Sequence, residues 1–173
     1  MNEYEFNTKD LVNSFIQVAK KVAFAPSDFF ANMPREGGFP PPLSFLAICM
    51  GISGVMGSLI FFNPFPLVIA IVGLVFAFVG AGILQFILQN LFNGGGTYEG
   101  TFRVVAYAGV IHILSWIPVL GFLLTLYGFY LQIVGLASVH NVTKGKALLA
   151  VIIALIVYFL IMIPLGGALF FLR

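Results

Sequence analysis

Few residues in this chain are of types that perform catalysis. The two histidines, His112 and His140, have no cysteine or carboxylate at a spacing that completes a metal site. Ser115 and Ser138 lack the histidine–acid pair that activates a serine nucleophile. The glycine run 94–96 is not followed by Gly-Lys-Ser/Thr, so it does not form a phosphate-binding loop. The sequence therefore predicts a protein that is not an enzyme and has no cofactor or metal.

Four polar side chains lie deep inside long apolar runs, where an unpaired polar group is expensive. They form the candidate polar groove: Gln85, His112, Ser115 and Gln132. One interpretation is a path that lets lipid or a small solute cross a membrane passively, and the other is hydrogen bonding that fixes helix packing. All six carboxylates fall outside these runs, which disfavours transport coupled to protons or sodium.

A second set of candidate residues lies near the expected membrane surface. Residues 8–24 carry apolar side chains at three- and four-residue spacing opposite a polar face, which predicts an amphipathic helix. Such a helix either lies in the membrane interface or packs on the rest of the protein. Cations near it can contact anionic headgroups or serve only to orient the chain. The candidate lipid- or partner-facing residues are Phe29, Phe30, Lys20, Lys21, Arg103, His140, Lys144 and Lys146.

The composition indicates the surroundings of these residues. Of the 173 residues, 61% are apolar and 8% are charged, against about 45–50% and about 25% in soluble domains. This chain lacks the polar surface of a water-soluble globule, so a soluble enzyme, a nucleic-acid binder and a disordered segment are excluded. A net charge of +2 is too small to imply a polyanionic partner. The sequence predicts an integral membrane protein.

The long apolar runs predict the fold class, an all-α, five-helix transmembrane bundle. A spanning helix needs about 20 apolar residues, and the predicted spans are residues 43–62, 65–92, 103–117, 121–140 and 147–172. The stretch 103–140 is too long for one helix, and Pro118 and Gly121 allow a break there. A re-entrant hairpin that returns at Pro118 is the alternative for the third and fourth spans. Residues 1–42 form a cytoplasmic segment, and residues 43–172 form the membrane domain.

The distribution of cations predicts the orientation of the five-span arrangement. Seven of the eight Lys and Arg residues fall on one side of the membrane when the spans alternate. Because cations concentrate in cytoplasmic loops, we expect a cytoplasmic N-terminus and a C-terminus outside. The expected location is the plasma or inner membrane, crossed several times.

Three stretches together resemble the Yip-one (Ypt-interacting protein) domain family, in its short prokaryotic form. They are residues 26–30, residues 94–108 and residues 135–147, and the resemblance extends from about Asp10 to Leu172. It implies five helices and a cytoplasmic N-terminus. Eukaryotic relatives are linked to small GTPases and vesicle budding. The chain lacks their Asp-Leu-Tyr-Gly-Pro type signature and long cytosolic tail, so GTPase binding is not carried over.

Two functions follow as hypotheses. The first is a membrane scaffold or adaptor that organises lipid or partner proteins at the cytoplasmic face, with anionic headgroups, a protein partner or a second copy of the chain as candidate partners. The second is a passive channel or translocator of lipid or a small solute through the polar groove. Nucleic acid is not an expected partner.

Overall fold

The computed structural model describes the backbone of residues 3–171 and the side chains of residues 3–161. Over this range the chain is helical and contains no β-strand. The C-terminal end of the predicted fifth span, residue 172, and Arg173 lie outside the described residues. The elements are α1 (Leu11–Phe24), α2 (Pro26–Asn32), α3 (Pro40–Phe61), α4 (Phe65–Phe92), α5 (Tyr98–Ala108), a 3₁₀ helix (Gly109–Ile113), α6 (Pro118–His140) and α7 (Lys144–Phe171).

Four helices are long and apolar enough to cross a membrane: α3, α4, α6 and the described part of α7, Lys144–Ile161. Their surfaces carry many exposed large apolar side chains, such as Phe62, Phe122 and Phe159. In a water-soluble protein such a surface would be unstable, whereas lipid solvates it favourably. The protein is therefore a helical membrane protein.

The prediction of five spanning helices is not confirmed, because the third predicted span is not one long helix. Residues 103–117 fall in α5, the 3₁₀ helix and a turn. The 11 residues of α5 and the five of the 3₁₀ helix extend about 17 Å and about 10 Å. Nearly every residue of α5 from Gly100 onward is buried. Its apolar composition reflects contact with neighbouring helices, which composition alone cannot distinguish from contact with lipid.

The segment formed by α5 and the 3₁₀ helix runs beside α3 in the same direction. Near its start, the backbone N–H of Gly38 donates to Glu99 Oε1 at 2.7 Å. Beyond its end, the hydroxyl oxygens of Ser53 and Ser115 lie 3.0 Å apart. The segment therefore follows α3 from just before its first turn to beyond its middle, at the centre of the bundle.

The chain before α3 packs on this bundle. Residues 3–7, the N-terminal strap, place Phe6 in the core at 2% exposure, and the Phe6 N–H donates to the Tyr107 hydroxyl at 3.1 Å. Helix α1 buries Val18 and Val22 and packs Phe15 and Ala19 against the core, while other apolar side chains, such as Val12 and Phe24, are exposed. Helix α2 packs on α6.

Candidate functional site

One end of the bundle gathers most of its buried polar groups. The start of α3, the end of α4, the start of α5 and the end of α6 meet there, together with the loop of residues 93–97. The Arg35 guanidinium donates to the Ser138 carbonyl at 3.1 Å, and the Ser138 hydroxyl donates to the Phe30 carbonyl at 3.0 Å. These bonds join the segment before α3 to α6. We call this region the polar end.

A buried arginine is the main charged group of the polar end. Arg103 is 0% exposed, and its guanidinium donates to Glu5 Oε1 at 2.7 Å and to Glu99 Oε1 at 3.1 Å. A third bond runs to the Gly38 carbonyl at 2.9 Å. Since a buried charge is tolerated only when it is paired and hydrogen-bonded, these three acceptors from the strap, α5 and the start of α3 stabilise it together.

Next to the arginine, four groups form a closed ring of hydrogen bonds. Gln85 donates to the Gly96 carbonyl at 2.7 Å, and the Thr101 hydroxyl donates to Gln85 Oε1 at 2.5 Å. His140 Nε2 lies 2.8 Å from the same hydroxyl, and the Gly96 N–H donates to His140 Nδ1 at 3.3 Å. One assignment satisfies all four bonds: a neutral imidazole with its proton on Nε2.

Close packing against this ring explains the glycines in the loop of residues 93–97. A Cβ on Gly96 would lie 2.9 Å from ring atoms of His140, and a Cβ on Gly94 would lie 2.7 Å from His140 Nδ1. Only glycine lets the loop backbone approach the imidazole this closely. The glycines therefore allow the backbone of Gly96 to take part in the hydrogen-bond ring.

At the surface, Lys21 ties the strap to α1 and α2. Its Nζ lies 2.7 Å from Glu3 Oε1, 3.6 Å from Asp28 Oδ2 and 3.8 Å from the centre of the Tyr4 ring. Partial burial lowers the pKa of Lys21, but hydrogen bonds and charge interactions with Glu3 and Tyr4 outweigh this effect, so its pKa lies above the ordinary value. Lys21 is therefore protonated and engaged within the protein.

Eight residues were predicted to face lipid or a partner. Lys21 is engaged within the protein, and the other seven are either buried or exposed. The interpretation is wrong for Phe29, Phe30, Arg103 and His140, because each is buried at 1% exposure or less. In the core, Phe29 packs against both Phe30 and Tyr107, and the arginine and histidine are satisfied inside the polar end. The residues that remain exposed are Lys20, Lys144 and Lys146.

The four residues of the predicted polar groove do not all lie at one site either. Gln85 belongs to the hydrogen-bond ring, and the Ser115 hydroxyl donates to the His112 carbonyl at 3.2 Å. His112 and Gln132 line one cavity of about 340 Å³ inside the bundle, together with Tyr158 of α7. No sequence pattern indicated Tyr158, because an aromatic residue in an apolar run is ordinary.

A second cavity, which we call the α1 groove, has about 550 Å³ of space between α1, the 3₁₀ helix and α6. Its lining is apolar apart from Lys20 and Tyr127, and includes Ala23, Ile111 and Leu124. The Tyr127 hydroxyl donates to the Ala23 carbonyl at 2.6 Å, so it is already satisfied. Lys20 is the charged residue at this groove.

Among residues 3–161, no three His, Cys, Asp or Glu side chains are grouped so that they could hold a metal ion. The single cysteine, Cys49, is buried in α3. Apart from the Ser58 hydroxyl, which is buried without a hydrogen-bond partner, the polar groups of the described region form structural bonds, line a cavity or face outward.

A family model described as the Yip1 domain matches residues 20–165 of the chain. The match covers α2 to α6 completely, the last five residues of α1 and most of α7. No curated protein and no solved structure matches the chain.

Proposed function

Since the chain belongs to the Yip1 domain family, as its sequence resemblance predicted, we propose that it is a non-enzymatic membrane scaffold that binds anionic lipids through its exposed lysines. Several apolar helices are long enough to cross a membrane. The binding of lipid or partner proteins at the cytoplasmic face of the plasma membrane is the proposal. Its partners are anionic headgroups first, and a protein or a second copy of the chain recruited on that surface.

The observation that carries this proposal is Lys20 beside the α1 groove. The lysine is exposed, and no salt bridge between described residues engages it, in contrast to its neighbour Lys21. An apolar groove with a cation beside it matches an anionic lipid, whose acyl chain is apolar and whose phosphate is negative. The exposed apolar side chains of α1 extend the apolar surface beside it.

Lys144 and Lys146 support the same function at the start of α7. Both are exposed, and no described carboxylate pairs with either. They follow the polar end directly, since α6 ends at His140. A lysine near an anionic membrane surface contributes about 1 kcal/mol of attraction, so these positions can hold lipid headgroups there.

Replacing Lys20, Lys144 and Lys146 with glutamine is expected to weaken binding of phosphatidylglycerol by roughly a hundredfold, from about 1 kcal/mol for each lost charge. Native mass spectrometry of the purified chain in detergent, titrated with phosphatidylglycerol, measures the affinity. Lys9→Gln is the control, because Lys9 is an exposed cation that lines neither the α1 groove nor the start of α7. Equal affinity of the triple variant and the unaltered chain would contradict the scaffold function, as would equal binding of phosphatidylcholine.

A second function, passive translocation of lipid or a small solute, is favoured by the cavity that contains His112 and Gln132. A lipid-scrambling assay in liposomes distinguishes the two functions, because a scaffold gives the background rate of protein-free vesicles.

A further inference from the structure

The cavity of about 340 Å³ lies between α3, α4, the 3₁₀ helix, α6 and α7. Its volume falls within the about 300–1,000 Å³ of typical small-molecule sites. Its lining includes three small residues, Gly73, Ala77 and Gly109. The turn of chain after α5 is a narrow 3₁₀ helix, which fills less of the bundle interior than a continued α-helix.

Three polar side chains from three different elements border this cavity: His112, Gln132 and Tyr158. Within the part of the chain whose side chains are described, no protein group hydrogen-bonds to the His112 ring, the Gln132 amide or the Tyr158 hydroxyl. This differs from the polar end, where Gln85, Thr101 and His140 satisfy one another. Intramembrane polar groups without a protein partner are costly, and a ligand with hydrogen-bonding atoms removes that cost.

Other contacts position the backbone at His112 and the ring of Tyr158. The Ser115 hydroxyl fixes the His112 carbonyl and also contacts the Ser53 hydroxyl of α3. The rings of Phe76 and Tyr158 pack edge to face with centroids 5.9 Å apart. Hydrogen bonding and ring packing therefore hold two sides of the cavity, at His112 and at Tyr158.

A smaller cavity of about 130 Å³ between α4, α6 and α7 shares Gln132 and Tyr158 with the larger one. Its other lining residues are apolar, among them Leu84, Val151 and Leu155. Both cavities border this shared pair, so each offers hydrogen-bonding side chains among apolar walls.

We propose that these two neighbouring cavities bind an uncharged, lipid-soluble ligand that carries carbonyl or hydroxyl oxygens. The imidazole, the amide and the phenol each donate a hydrogen bond to such oxygens. No Lys, Arg, Asp or Glu lines either cavity, and burial of an uncompensated charge is strongly unfavourable. A quinone and a diacylglycerol are two sources of this chemistry. The inference goes beyond the scaffold function and does not depend on it.

The test is photolabelling of the full chain in phosphatidylcholine nanodiscs with a photoreactive quinone analogue and, separately, a photoreactive diacylglycerol analogue. We expect at least one of them to label peptides around Gln132 or Tyr158, in competition with the unlabelled compound. Labelling by one analogue alone identifies the source, and labelling by both supports the shared chemistry. A photoreactive alkane without oxygen atoms is expected not to concentrate there.

Two variants test the hydrogen bonds and the space separately. Gln132→Leu with Tyr158→Phe removes two partners and is expected to lower labelling about fivefold to tenfold or more. Ala77→Phe fills the cavity from α4 and is expected to abolish labelling while it leaves all three polar groups in place. Tyr130→Phe is the matched control, because Tyr130 is exposed on α6 and lines neither cavity.

The proposal is overturned if neither analogue labels the cavity above the level of the alkane, or if the label maps only to lipid-exposed surfaces. It is also overturned if Ala77→Phe, shown to be folded by its thermal unfolding, labels as strongly as the unaltered chain. Failure here leaves phosphatidylglycerol binding at Lys20 unaffected, so the two proposals fail separately.

Discussion

Replacing Arg103 with methionine is expected to lower the free energy of unfolding by about 3–5 kcal/mol, the usual cost of removing one partner from a buried ion pair. Methionine keeps much of the side-chain volume, so the loss comes from charge and hydrogen bonds. Glu5 and Glu99, which share the guanidinium, would then lie close together without a cation. Their mutual repulsion adds to the cost of partial burial.

The same substitution is expected to release the N-terminal strap. Glu5 bonds to Arg103 and the next residue, Phe6, is buried in the core, so loss of the ion pair weakens both. Unfolding in mixed micelles at increasing dodecyl sulfate concentration measures the stability, and limited proteolysis before α1 measures release of the strap.

Arg35→Met is the matched control for this experiment. Arg35 is exposed and makes one hydrogen bond to the Ser138 carbonyl, so we expect a loss of under about 1 kcal/mol. If Arg103→Met and Arg35→Met cost the same, the buried ion network does not stabilise the polar end as described.

Replacing Thr101 with valine is expected to cost about 2–4 kcal/mol, although valine has the same shape. The change removes one hydroxyl from the hydrogen-bond ring and leaves Gln85 Oε1 and His140 Nε2 buried without their partner. A buried polar group that loses its hydrogen bond costs about 1–3 kcal/mol. The measurement is the same unfolding titration.

Two further variants are the controls for Thr101→Val. Thr125→Val removes an exposed hydroxyl that bonds only to the Gly121 carbonyl of its own helix, and we expect almost no change in stability. Thr101→Ser keeps the hydroxyl and should retain most of the stability. Equal losses for Thr101→Val and Thr125→Val would show that the ring is not a structural unit.

The apolar helices could be predicted from the sequence, because the cost of placing 20 residues in lipid depends on local composition. The five-span prediction is not confirmed at α5, whose residues are apolar since they are buried among other helices. Helix α5 differs from a spanning helix in its length, because the segment changes at Gly109 into a 3₁₀ helix and does not continue as one long helix. Composition carries no signal for that break.

The placement of the arginine and of the histidine at the polar end was harder to predict. Arg103 and His140 stand at the ends of apolar runs, where a polar side chain is normally exposed. The partner that buries Arg103 is Glu5, 98 residues earlier in the chain, and the partner of His140 is Thr101, 39 residues earlier. Pairing over such distances is a property of the tertiary fold and leaves no local pattern.

We infer that the polar end lies at one face of the membrane, together with the segment before α3 and the start of α7. Single cysteines in a Cys49→Ala background test it, with Glu36, Lys146 and Asn63 as the labelled positions because all three are exposed. A membrane-impermeant maleimide is applied to intact cells and to inverted vesicles. We expect Glu36→Cys and Lys146→Cys to react from the cytoplasmic side, and Asn63→Cys, between α3 and α4, to react from the other side. Reaction of Glu36→Cys and Lys146→Cys from opposite sides would contradict the account.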